Sequence, residues 1–166
     1  AMKSYYILIF ICFSFQYSIA QIGFQEHIVI DETFTANGAN SVYSVDLDND
    51  GDMDVLSASA SISNIVWFEN TDGQGSFGSA QTIATNADFA KSVFATDLDG
   101  DGDLDVLSAS SDDDKIAWYE NIDGQGDFGP QQVITVNADS ANSVYAADLD
   151  GDMDVLSASR ADDKIA

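Results

Sequence analysis

The chain has 166 residues, enough for one ordinary domain, and sets 29 acidic against 5 basic residues for a formal net charge of −24. That balance disfavours nucleic acid and anionic membrane surfaces as partners and favours cations. A hydrophobic fraction of 45% and an aromatic fraction of 11% exclude simple disorder.

In chain order, residues 1–20 read as a signal peptide. Lys3 gives the positive start, Tyr5 to Phe15 the apolar run, and Ser18-Ile19-Ala20 the small residues of a cleavage site. The run is short for a membrane span and polar Ser14, Gln16 and Ser18 follow it, so the reading is export with a mature chain from Gln21 and no stable membrane anchor. The one cysteine, Cys12, lies in this segment, which leaves the mature chain without a disulfide. Phe24 to Ile30 resembles the fourth strand of the units that follow (compare Phe128 to Ile134). Over residues 21–40 this predicts an N-terminal strand that completes the last blade of a ring.

From Ser41 the sequence repeats. Ser41-Val42-Tyr43, Ser92-Val93-Phe94 and Ser143-Val144-Tyr145 stand 51 residues apart, and residues 41–91 match 92–142 without gaps at 30 of 51 positions. The first unit predicts four short strands: Ser41 to Val45, Met53 to Ser59, Ile65 to Glu69 and Gln81 to Thr85. Asp/Gly-rich, Ile62-Ser63-Asn64 and Asp72-Gly73-Gln74-Gly75 turns separate them. The second unit, 92–142, repeats the plan, and the third, 143–166, runs as far as its third strand. Four antiparallel strands per repeat of about fifty residues predict an all-β fold, a partial β-propeller of four-stranded blades. Rings need four to eight such blades, so the expectation is a piece of a longer propeller.

The first two units carry matched acidic loops. Asp46-Leu47-Asp48-Asn49-Asp50-Gly51-Asp52-Met53-Asp54 and Asp97-Leu98-Asp99-Gly100-Asp101-Gly102-Asp103-Leu104-Asp105 both have carboxylates at positions one, three, five, seven and nine, with Gly at six. Calcium takes six to eight oxygens, and alternate residues of a tight loop aim carboxylates at one centre. Gly at six permits the turn that brings position nine back, and position seven (Asp52, Asp103) is where such loops offer a main-chain carbonyl. Magnesium demands a stiffer octahedron, and zinc is disfavoured by the lack of mature cysteine and the single His27. An EF-hand is excluded because position twelve is Ser57 or Ser108 and a strand follows. The third loop, Asp148-Leu149-Asp150-Gly151-Asp152-Met153-Asp154, is two residues shorter and puts Met153 at position six, so weaker metal binding is expected there.

The acidic loop followed by a strand, then Trp-Phe/Tyr-Glu-Asn, Asp-Gly-Gln-Gly and Phe-Gly, resembles the FG-GAP/VCBS repeat family. That family is similar to the calcium-binding blades of the integrin α-chain propeller. The resemblance covers residues 41–166 and, more weakly, 22–40. It implies a seven-bladed propeller with calcium loops between first and second strands, and extracellular adhesion or binding of a protein or carbohydrate ligand. It also implies Asp46, Asp48, Asp50 and Asp54, then Asp97, Asp99, Asp101 and Asp105, as side-chain ligands.

Little else points to chemistry. Trp67 and Trp118 occupy one place in an apolar strand, which favours blade packing over sugar stacking. Close carboxylate pairs all belong to the acidic loops, and no nucleophile triad or phosphate loop is evident, so the expectation is a non-catalytic module. The alternative is the propeller portion of a secreted polysaccharide-active enzyme. Asp112-Asp113-Asp114 reads as a solvated hairpin turn relieved by Lys115.

Overall fold

The computed structural model describes residues 37–166; the expected signal peptide with Cys12, the strand expected at Phe24 to Ile30 and His27 lie outside them. Among the described residues there are eleven strands and no helix. β1 (Ala39–Val45), β2 (Asp54–Ser59), β3 (Asn64–Phe68) and β4 (Gln81–Ala84) form one sheet in chain order. β5 (Ala90–Thr96), β6 (Asp105–Ser110), β7 (Lys115–Tyr119) and β8 (Gln132–Thr135) form the second. β9 (Ala141–Asp148), β10 (Met153–Ser159) and β11 (Lys164–Ile165) form a three-stranded third. All pairings are antiparallel, as the repeat predicts for propeller blades.

The first strands of the three sheets lie against one another. Ser41 Oγ accepts from Val93 N–H at 3.3 Å, and Ser92 Oγ accepts from Val144 N–H at the same distance. The rings of Tyr43, Phe94 and Tyr145 pack in series across the sheets, tilted by 51° and 49° with 5.1 and 4.5 Å between centroids. The sequence makes this a ladder because each aromatic recurs 51 residues on, at one register position of its sheet.

The core lies in the seams between sheets. Leu47, Leu56, Ile65 and Trp67 of the first sheet meet Val93, Val106 and Tyr119 of the second. Leu107 and Ile116 meet Val144 and Ala146 of the third. Residues Ile65 to Phe68 of β3 form an unbroken apolar run, not an alternating one, and all four are buried. Each fully buried Leu or Ile contributes about 1.5–3 kcal/mol. The fit is close enough that Gly126, at φ +87°, has no room for a side chain: a Cβ there would stand 2.3 Å from the Trp67 ring. Trp67 is thus a packing residue, and Trp118 packs partly buried in the next seam.

The triple-Asp turn is more tightly held than a solvated hairpin. Asp113 pairs with Lys115 at 2.8 Å and accepts from Ser110 Oγ at 2.5 Å. Asp114, at φ +54°, accepts from Ser140 N–H through its side chain and from Ala138 N–H through its carbonyl. The turn ties its hairpin to the segment leading into β9, a contact of high sequence separation that local composition does not reveal.

Candidate metal centres

Each acidic loop joins the first strand of a sheet to the second. β1 ends where Val45 pairs with Asp54, and the eight residues between them form the first loop. Thr96 and Asp105 close the second loop in the same register. Within the loops the backbone turns on residues of positive φ: Asn49 at 59° and Gly51 at 96°, then Gly100 at 84° and Gly102 at 100°. Glycine makes that conformation accessible without a Cβ penalty.

The carboxylates organise their own loop. In the first, Asp50 N–H donates to Asp48 Oδ1 at 3.3 Å, Gly51 N–H to Asp46 Oδ2 at 3.0 Å and Asp52 N–H to Asp50 Oδ1 at 2.8 Å. In the second, Asp101 N–H donates to Asp99 at 3.2 Å, Gly102 N–H to Asp97 at 3.1 Å and Asp103 N–H to Asp101 at 2.9 Å. These bonds fix the side chains while leaving lone pairs directed inward. One oxygen each of Asp46, Asp48 and Asp50 lies within 4.8 Å of the others, and the same holds for Asp97, Asp99 and Asp101.

Asp54 and Asp105 sit at the base of the loops, 0% and 1% exposed. Asp54 accepts from Leu47 N–H at 2.9 Å and Asn70 N–H at 2.8 Å, and Asp105 from Leu98 N–H at 3.1 Å and Asn121 N–H at 2.9 Å. They belong to neither trio and staple the loop to the segment just beyond the third strand of the sheet. Asp52 and Asp103 also stand outside the trios, with their carboxylates against the backbones of Gly73 and Gly124. The Asp-Gly-Gln-Gly turn of each of the first two sheets therefore covers its own acidic loop, and the positive φ of Gly73 and Gly124 favours glycine there, where a Cβ would displace the facing carboxylate.

The third loop is built differently. Strand pairing runs one step further, with Asp148 opposite Met153, and absorbs the missing residues. Asp148 lies in β9 and accepts from Gly151 N–H at 2.6 Å. The trio moves to Asp150, Asp152 and Asp154, so the loop brings three carboxylates together without Gly at position six. Asp154 keeps the bond from Leu149 N–H, at 3.1 Å, but is only half-buried.

The electrostatics are those of crowded anions. Burial raises the Asp48 carboxyl, and Asp54, Asp50 and Asp46 add to the rise. Burial raises Asp54 against two main-chain donors, with Asp50 and Asp46 contributing. Asp105 is pushed up to about 6 by burial, with Asp99 and Asp101 reinforcing it. Asp46 Oδ1 is a buried oxygen without a hydrogen-bond partner. A lone buried carboxylate oxygen is costly unless something positive faces it.

The donor set fits a hard cation. Every group is an oxygen, and two oxygens on one calcium stand at most about 5 Å apart, the span each trio already has. Residues that sequence reasoning did not place at the site are Asn70 and Asn121, which donate to the basal aspartates, and Asn49. Asn70 and Asn121 stand 16 residues after their aspartates in the Trp-Phe/Tyr-Glu-Asn motif, which was the available signal.

The FG-GAP-like repeat matches the chain twice, over residues 46–108 and 97–157. Each match opens on position one of an acidic loop and runs through the next loop. No curated protein and no solved structure matches significantly. Two overlapping matches spanning residues 46–157, on sheets of the expected strand order, place the chain in the FG-GAP-like repeat family.

Proposed function

We propose that the chain is an exported calcium-binding repeat module, non-catalytic, that presents a propeller surface to an extracellular protein or carbohydrate. The observation that carries the calcium reading is the recurrence of a converged carboxylate trio in each of three loops, with a buried unpartnered oxygen in the first. In this reading Asp46, Asp48 and Asp50 hold one ion and Asp97, Asp99 and Asp101 a second. Asp54 and Asp105 back them from below. The bound ion supplies positive charge that cancels the repulsion among these groups and so stiffens the loop. The signal-like segment 1–20 supports export, and calcium of extracellular abundance suits a site of this kind.

Calorimetric titration of the chain with calcium, alongside melting in chelator and in millimolar calcium, tests the reading. Binding heat and a raised melting temperature are expected. Asp50→Ala should remove the first site while the second still binds, since Asp97, Asp99 and Asp101 converge without any group from the first loop. Absence of calcium heat together with calcium-independent melting would overturn the proposal.

A further inference from the structure

The first two loops touch. Asn121, fully buried in the second sheet, donates from Nδ2 to the carbonyl of Leu47 in the first loop at 2.9 Å. The same residue donates its N–H to Asp105, at the base of the second loop. Leu47 in turn donates its N–H to Asp54, at the base of the first. Two residues, Leu47 and Asn121, thus join the two basal aspartates through buried hydrogen bonds. A second route crosses at the surface: Asn49 Nδ2 donates to Asp103 Oδ1 at 3.0 Å and to Gly124 O at 3.3 Å. At the next boundary Asn49 is replaced by Gly100, which has no side chain to reach the third loop.

We infer that the first and second loops bind their ions as a coupled pair, each occupancy favouring the other, through Asn49 and Asn121. The inference rests on the calcium reading above and adds its regulation. An ion held by Asp97, Asp99 and Asp101 orders the second loop, and with it Asp103, whose N–H donates to Asp101, and Leu98, whose N–H donates to Asp105; these are the groups tied to Asn49 and, through Asn121, to Leu47. Part of the ordering that the first loop needs is then already done, and linkage makes the effect reciprocal. Repulsion between the ions opposes this, but it is screened at physiological salt and does not depend on the Asn49 side chain.

The test is a thermodynamic cycle measured by calcium calorimetry. In a chain whose third loop is disabled by Asp152→Asn, the product of the two stepwise binding constants is compared with the product of the single-site constants. Those come from the same chain carrying Asp50→Asn or Asp101→Asn, all three being changes at exposed positions. The two-site product should exceed the single-site product about fivefold, the lower end of ordinary coupling. Asn49→Gly, which copies Gly100 of the second loop and suits the positive φ, should bring the ratio down towards one. A native ratio of one or below would overturn the coupling, and a ratio that Asn49→Gly leaves unchanged would overturn its passage through Asn49, in each case leaving calcium binding intact. Failure of every chain to bind calcium would instead overturn the calcium reading, and the coupling with it.

Discussion

Asp105 shows how single residues at these sites trade stability for charge. Its carboxyl is raised to about 6 by burial and by the neighbouring Asp99 and Asp101. An unfolded chain releases that proton near 4. In metal-free protein, therefore, the native state binds the extra proton between about pH 4 and 6, and stability falls as pH rises through that window. The loss is on the order of 1–2 kcal/mol after solvent screening. In chelator the chain should melt several degrees higher at pH 5 than at pH 7. In saturating calcium the order should invert, because ion and proton compete for the same acidic cluster. Melting curves at both pH values, with and without metal, check this. A chelated chain that is more stable at pH 7 would contradict it.

At the scale of elements, the three hairpins between second and third strands form an internal mutant series. Ser110 Oγ donates to Asp113, and Ser159 Oγ makes the matching short bond to Asp162. Lys115 and Lys164 complete both turns. In the first hairpin those places are Ile62 and Asn64, and Ser59 Oγ is buried without a partner. An unsatisfied buried hydroxyl costs about 1–3 kcal/mol. The pair Ile62→Asp with Asn64→Lys should recover about 1 kcal/mol, raising the melting temperature by a few degrees without changing net charge. Denaturant titration checks it, and no gain would mean that Ser59 is served by water. The acidic hairpins give a second series. Inserting Asp-Gly after Gly151 would make the third loop match the second in length and glycine placement. It should free Asp148 from β9, return the trio to the first half of the loop and raise calcium affinity there about tenfold, read by calorimetry with the other two loops disabled. Unchanged affinity would show that the trio of Asp150, Asp152 and Asp154 is already a full site.

For the whole molecule, the seams show which sheet face is uncovered among the described residues. Leu47 is fully buried against the second sheet, whereas its counterpart Leu149 on the third is 67% exposed. Tyr145, the last rung of the aromatic ladder, is 53% exposed. That outer face has the residues which, one sheet earlier, bury a neighbour. Such a patch associates with whatever apolar sheet face is offered. The isolated chain should therefore self-associate in calcium at micromolar concentration, and Leu149→Gln should weaken association at least threefold while leaving the melting of the first seam unchanged. Sedimentation or light scattering over a concentration series decides. A chain that stays monomeric throughout would show that the exposed face is satisfied by its own polar rim.

Much of this was written locally. The strand–turn alternation and the acidic loops with Gly51 and Gly102 depend on neighbours within a few positions and recur every 51 residues, so the all-β class and sheet order could be read directly. The carboxylate trios could be read as well, because alternate residues of a short loop converge whatever surrounds it. Tertiary structure alone separated Asp54 and Asp105 from the trios, since their role is set by N–H groups of Asn70 and Asn121, 16 residues on and just past the third strand of each sheet. It alone turned Asp112–Asp114 from a solvated run into a tied hairpin, through partners 24 to 26 residues away. It also decided that the shortened third loop keeps three converging carboxylates by lengthening its strands. The link from Leu47 to Asn121 spans 74 residues and exists only where two sheets pack, a juxtaposition that no local pattern encodes.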